Sequence, residues 1–243
     1  MAVVLNSEKK TLQIQQELTY FNESNDTLTT IVLNDWNNAF SNKNTPLAKR
    51  FSDEFYRGFH LAKEEERGST NNLIVADANK QPFLWERTKK NPDYIFVQLK
   101  EKLVPNQKVT FTLSYTIKIS SDKFTKYGYS DNGTLKLKDW YLTPARYEDH
   151  AFVQHSNNNL DDIANAISDF DINLKIPALL EITTDLNSAK SQEANGFISY
   201  RLTGKNRSII SLFIEPKSNF ITYKNSSFKV LTDLKDKKLK DIK

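Results

Sequence analysis

Three histidines, His60, His150 and His155, are the imidazoles with which this chain could hold a metal or move a proton near neutral pH. Their spacing offers no recognisable metal site. No His-Glu-x-x-His run occurs, and His150 and His155, five apart, fall on opposite faces of a strand and far apart around a helix. Nucleophilic chemistry is no better supported. There is no cysteine and no Gly-x-Ser-x-Gly, and the six glycines stand singly, so no phosphate-cradling loop is present either. The acidic runs Asp161-Asp162 and Glu64-Glu65-Glu66 read as solvated charge. No catalytic constellation and no metal-ligand set is therefore expected in this chain. The segment best suited to meet a ligand is Arg146-Tyr147-Glu148, a cation, a phenol and a carboxylate placed where Trp140-Tyr141-Leu142-Thr143-Pro144 runs out into a loop. Loops at strand ends, carried on a rigid scaffold, are common ligand-contact sites.

A scaffold of that kind is what the periodicity predicts. Over residues 107–119, Val109, Phe111, Leu113, Tyr115, Ile117 and Ile119 share one face and Thr110, Thr112, Ser114, Thr116 and Lys118 the other. Such alternation marks a strand with one buried side. Leu12, Ile14, Leu18 and Tyr20 repeat it more weakly, and Phe170, Ile172, Leu174 and Ile176 repeat it over 169–177. Further strands are expected at 28–33, 73–76, 94–99, 135–141, 180–184, 197–202, 209–214, 220–223 and 228–231. Turns are expected at Asp131-Asn132-Gly133 and at Thr203-Gly204-Lys205-Asn206. About a dozen short strands with frequent turns make an all-β, antiparallel sandwich the expected class. Two short helical insertions interrupt it. Thr45-Pro46 caps one, with Leu47, Phe51, Phe55 and Phe59 as its apolar stripe; Asn159 caps another, with Leu160, Ile163, Ala164 and Ile167 on one face.

Composition narrows the function classes. The chain has 243 residues, with 34 Lys+Arg against 30 Asp+Glu, and 38% of it is hydrophobic. Absence of cysteine excludes a disulfide framework and thiolate metal sites. The formal charge of +4 is spread along the chain, so no nucleic-acid partner is expected. No stretch reaches the ~20 apolar residues of a membrane helix. The first residues have no basic segment of the secretory type; the compartment stays open. Residues 1–230 read as one sandwich domain. The lysine-rich 231–243 reads as a linker or the start of a further domain, or as a frayed end.

Four segments together resemble the N-terminal part of the M1 (gluzincin) zinc metallo-aminopeptidases. They are Tyr20-Phe21-Asn22-Glu23-Ser24-Asn25-Asp26-Thr27-Leu28, then Leu33-Asn34-Asp35-Trp36-Asn37-Asn38-Ala39-Phe40, then Trp140-Tyr141-Leu142-Thr143-Pro144, and finally Ser168-Asp169-Phe170-Asp171-Ile172-Asn173-Leu174-Lys175-Ile176-Pro177. They occur in the family's order across most of the chain. The resemblance implies a saddle-like β-sandwich that packs on a following catalytic domain. That domain would carry the zinc and the His-Glu-x-x-His motif, neither of which this chain supplies, and the whole protein would remove N-terminal residues from peptides. It also implies that the loop after Pro144 lies near the free amine of the peptide substrate, with Glu148 as the carboxylate for that amine and Arg146 and Tyr147 beside it. The competing reading is a free-standing sandwich that binds carbohydrate or peptide on Trp36, Trp140 and Tyr141. That reading requires those rings to be exposed; the first requires them to be mostly buried.

Overall fold

The computed structural model describes residues 1–154, 164–217 and 221–232. Its strands are Ala2–Asn6 (β1), Thr11–Phe21 (β2), Leu28–Asn34 (β3), Ser69–Ala76 (β4), Trp85–Glu86 (β5), Tyr94–Leu103 (β6), Lys108–Lys118 (β7), Gly128–Tyr129 (β8), Leu135–Lys138 (β9) and Thr143–Pro144 (β10). They continue as Tyr147–Glu148 (β11), Ala151–Phe152 (β12), Ser168–Pro177 (β13), Leu180–Thr184 (β14), Asn187–Lys190 (β15), Phe197–Arg207 (β16), Ser211–Pro216 (β17), Ile221–Lys224 (β18) and Lys229–Thr232 (β19). Helices span Pro46–Asp53 (α1) and Gly58–Leu61 (α2), with single 3-10 turns at Trp36–Phe40 and Glu64–Glu66.

One layer is a seven-stranded sheet in the order β15-β16-β13-β1-β2-β7-β4. Two four-stranded sheets, β10-β3-β6-β5 and β14-β17-β9-β8, share a single apolar core with it. The architecture is thus the expected all-β sandwich with short helical insertions. Leu12, Ile14, Leu18 and Tyr20 of β2 and Phe111, Leu113, Tyr115 and Ile117 of β7 point into that core. Burial of each large apolar side chain contributes about 2 kcal/mol. Pairing within the large sheet is antiparallel except between β1 and β13, which run parallel with Val3 opposite Leu174. Among the described residues no helix is long and apolar enough to cross a membrane.

The helical insertion forms as its cap predicts: Thr45 Oγ1 accepts from Ala48 N at 3.1 Å and Pro46 opens α1. The four-residue stripe breaks after Phe51, however. Tyr56 N donates to Phe51 O and Phe55 N to Ser52 O, closing the helix with Phe55 at φ 58° and 92% exposed. Phe59 is buried from the separate helix α2, beside Phe40, Phe51 and Phe124.

Three further expectations are corrected. No turn occurs over 203–206; β16 runs on to Arg207 and takes up one extra residue opposite Asp169 as a bulge, with Asn206 at φ 53°. Gly204 there serves close packing, since a Cβ would lie 2.5 Å from Leu186 Cδ2. The strand expected at 135–141 stops at Lys138, because Asp139 takes φ 49° and turns the chain inward. Residues 164–167 are extended, with Asn165 bridged to Ala145; Asn159, Leu160 and Ile163 of the expected helix lie outside the described residues, as do His155 and 233–243. The Asp131-Asn132-Gly133 turn is present, joining β8 to β9 with Gly133 at φ 85°.

Candidate functional site

Arg146, Tyr147 and Glu148 leave the sandwich at the end of β10. Thr143 pairs with Asn34 and Pro144 with Leu33 of β3. Ala145 N then donates to Val32 O at 2.9 Å, and Arg146 N to Ala164 O at 3.0 Å. Beyond this anchor the chain forms a two-residue hairpin, with Tyr147 opposite Phe152 and Glu148 opposite Ala151. Its turn is Asp149-His150, at φ 47° and 65°. Positive φ at both central residues is the twist such a hairpin needs, but Asp-His meets it at higher cost than Asn-Gly would.

The three side chains divide between two faces. Arg146 Nε and Glu148 Oε1 form an ion pair at 2.6 Å, with both side chains about half exposed. Tyr147 points the other way. Its ring packs edge-on against Phe152, centroids 4.9 Å apart, and Phe152 contacts Tyr20. Its hydroxyl donates to Asp26 Oδ2 at 2.8 Å, and His150 Nδ1 lies 2.9 Å from the same oxygen. These two bonds hold the Asp26 carboxyl below its ordinary range. Burial, and then the Asp26 bond, push the Tyr147 phenol up. Burial above all, then Tyr147 and Glu23, push Tyr20 up to about 12.

Asp26 is presented by a compact turn. Buried Asn22 donates through Nδ2 to Asp26 O at 2.8 Å and to Leu103 O, while Asn22 Oδ1 accepts from Ser24 N and Oγ. Ser24 Oγ in turn accepts from Asp26 N at 3.2 Å. The Asn-x-Ser-x-Asp pattern is therefore one self-bonded loop with its terminal carboxylate left to reach the hairpin.

A cavity of about 780 Å³ opens beside this hairpin. Its walls include Tyr20, Glu23, Leu142, Arg146, Tyr147 and Phe170. Arg146 and Tyr147 thus line it, whereas Glu148 is not among its lining residues. Of the four sequence segments singled out above, the first, third and fourth contribute to the wall. The second adjoins it through the Asn34–Thr143 pairing.

Two buried polar chains lie nearby, the first running through Gln16 and Leu142 of the cavity wall. Gln16 Nε2 donates to Leu142 O at 2.9 Å, Tyr115 Oη donates to Gln16 Oε1 at 2.6 Å, and Leu142 N donates to Tyr115 Oη at 3.0 Å. Gln16 is the one polar residue on the buried face of β2, so the break in its apolar alternation was the available signal. In the second chain, Asn165 Nδ2 donates to Asp139 Oδ1 at 3.0 Å and Asn165 Oδ1 accepts from Asn34 Nδ2 at 2.8 Å. Asp139 is 3% exposed and its Oδ2 has no hydrogen-bond partner. Burial pushes its carboxyl up from 3.8 to about 6. Next to Asn34, buried Asp35 accepts from Arg87 and from Thr70 Oγ1. Trp36, Trp140 and Tyr141 are 6%, 3% and 2% exposed, so none presents a ring face for stacking on a ligand.

Sequence reasoning named Arg146, Tyr147 and Glu148 and missed Asp26, His150 and Gln16 as their neighbours. Among the described residues no three His, Asp or Glu side chains gather as a metal site. His60 instead lies 3.3 Å from Ser52 Oγ, and His150 is engaged by Asp26. The described residues therefore do not fit a zinc ion.

No protein-family model matches the chain, and no curated protein matches it either. Among solved structures it is similar to a two-domain M1 zinc metallopeptidase mutant bound to L-arginine, at 14% identity and TM-score 0.48, over 95% of this chain and 44% of that one. The same two-domain peptidase bound to L-tryptophan gives 14% identity and TM-score 0.49, over 95% and 45%. An M1 zinc metallopeptidase from Deinococcus radiodurans gives 14% and 0.48, over 95% and 44%. The chain spans less than half the length of these structures.

Proposed function

We propose that this chain is the non-catalytic N-terminal sandwich of an M1-like zinc aminopeptidase, residues 1–230 forming the domain and 231–243 leading into a catalytic domain. Its role is to pack on that domain and to shape the pocket for the substrate's N-terminus. One observation carries the reading. Three of the segments resembling family motifs, at 20–28, 140–144 and 168–177, line a single cavity, and the fourth pairs with its wall through Asn34 and Thr143. Convergence of that kind is expected of a functional surface and not of four unrelated coincidences.

In the whole protein, zinc held by the catalytic domain would supply carbonyl polarisation and an activated water for attack on the first peptide bond. What this chain contributes is recognition. Arg146 holds Glu148 at the hairpin's outer face, where the carboxylate accepts hydrogen bonds from the ammonium of a peptide. Tyr147 anchors the same loop inward. The burial of Trp36, Trp140 and Tyr141 counts against a free-standing carbohydrate- or peptide-binding module built on those rings.

In the intact peptidase, Glu148→Ala should raise KM about tenfold for substrates with a free amine and leave kcat little changed. An unchanged KM removes Glu148 from the site. The 243-residue chain supplied with zinc should not cleave aminoacyl-anilides, and turnover abolished by a chelator would overturn the assignment.

A further inference from the structure

We propose that Asp26 is the positioning residue for the Glu148 hairpin: its carboxylate grips Tyr147 and His150 and so fixes where Glu148 points. The proposal rests on the reading of that hairpin as the substrate-facing loop.

The hairpin has little to hold it in place by itself. It contains two cross-strand pairs and a turn whose Asp149 and His150 both occupy the left-handed region without being glycine. Two-stranded hairpins of that size are marginal alone. Its position is set by what it docks against: the Arg146 N to Ala164 O bond at its base, the Tyr147–Phe152–Tyr20 ring contacts, and Asp26.

Among these contacts Asp26 has a particular geometry. It bonds the residue before Glu148 and the second residue after it, so the carboxylate ties the first strand of the hairpin to its turn, on either side of Glu148. Neighbouring side chains on a strand point to opposite faces. With Tyr147 drawn inward onto Asp26, Glu148 is turned outward, where Arg146 meets it. The turn bearing Asp26 is itself rigid, since Asn22 is fully buried and bonds across it. Ser24 uses its side chain within the turn, Asn22 ties the turn to Leu103 O, and Asp26 reaches the hairpin more than a hundred residues away.

The test is backbone hydrogen exchange in this chain, followed by kinetics in the intact peptidase. Asp26→Ala, which removes the bonds to both Tyr147 and His150, should raise exchange about tenfold at the hairpin amides of Arg146 and Val153, while β2 and β7 stay as protected as before. The double variant Tyr147→Phe/His150→Ala removes the same bonds from the other side. It should give the same local rise, and combining it with Asp26→Ala should add nothing further. Kinetically, Asp26→Ala should raise KM without lowering kcat. Wild-type exchange at the hairpin, or a rise spread evenly over the whole chain, overturns the clamp. A local rise with unchanged KM upholds the clamp and sinks the substrate-facing reading of the loop.

Discussion

Replacing Asp139 by asparagine should remove a pH dependence that the buried carboxylate imposes on stability. Asp139 sits at φ 49° at the end of β9, almost wholly buried, with one oxygen on Asn165 and the other without a partner. Burial raises its pKa from 3.8 to about 6. The folded state therefore binds this proton more tightly than the unfolded state does. Stability from this group is greatest at acid pH and falls as pH rises through about 6. Keeping the buried carboxylate ionised above pH 7 costs about 3 kcal/mol, of which roughly 1–2 kcal/mol develops between pH 5 and pH 8. Asp26, Glu66, Asp77 and Asp171 are held below their ordinary range, and their contribution is lost only as pH falls below that of an unfolded carboxylate. His60, His150 and His155 are present in both proteins, so the difference between the two pH profiles from pH 5 to pH 8 isolates Asp139. The asparagine side chain keeps the acceptor for Asn165 and the same shape, but it cannot ionise. Urea denaturation of both proteins, followed by circular dichroism across that interval, gives the comparison. The wild-type chain should lose roughly 1–2 kcal/mol more than Asp139→Asn between the two ends. Parallel pH profiles would show that Asp139 does not carry the buried charge assigned to it.

Other substitutions test the scaffold. Phe55→Gly should stabilise the chain by about 1 kcal/mol, because an exposed side chain at φ 58° is exchanged for the residue that tolerates that conformation. A lower melting temperature would refute that reading of the helix end. Thr45→Ala should cost about 2 kcal/mol, since Oγ1 both caps Ala48 N and donates to Ala39 O in a buried position. Denaturation with an unchanged midpoint would remove the cap from the account of α1. Gly128→Ala should cost more than about 2 kcal/mol, for its φ is 125° and a Cβ would lie 2.1 Å from Ser120 O. A variant of wild-type stability would mean that the 120–129 segment is not packed as described.

How much was legible in the sequence follows from the kind of constraint each residue meets. Alternation in β7 and β13 exposed the core face directly, because a half-buried strand repeats every two residues. Glycine was a weaker guide. Gly133 does turn the chain, but Gly204 lies within a strand and makes room for Leu186, a tertiary demand with no local signature. Phe55 was expected on the apolar stripe because spacing alone cannot show that the helix ends before it. At the candidate site, the loop after Pro144 could be picked out by residue type. Asp26 could not, since its partners lie 121 and 124 residues away. Gln16 left a trace, a polar side chain in phase with buried ones, whose meaning depends on Tyr115 and Leu142 arriving from other strands.

The most direct test of the domain assignment is the nucleotide sequence of the encoding locus downstream of the Lys243 codon. A reading frame that continues into His-Glu-x-x-His, with a further Glu about twenty residues later, is the predicted result for the front of a zinc aminopeptidase. A stop codon directly after Lys243 would contradict it, and the sandwich would then have to be explained as a protein in its own right.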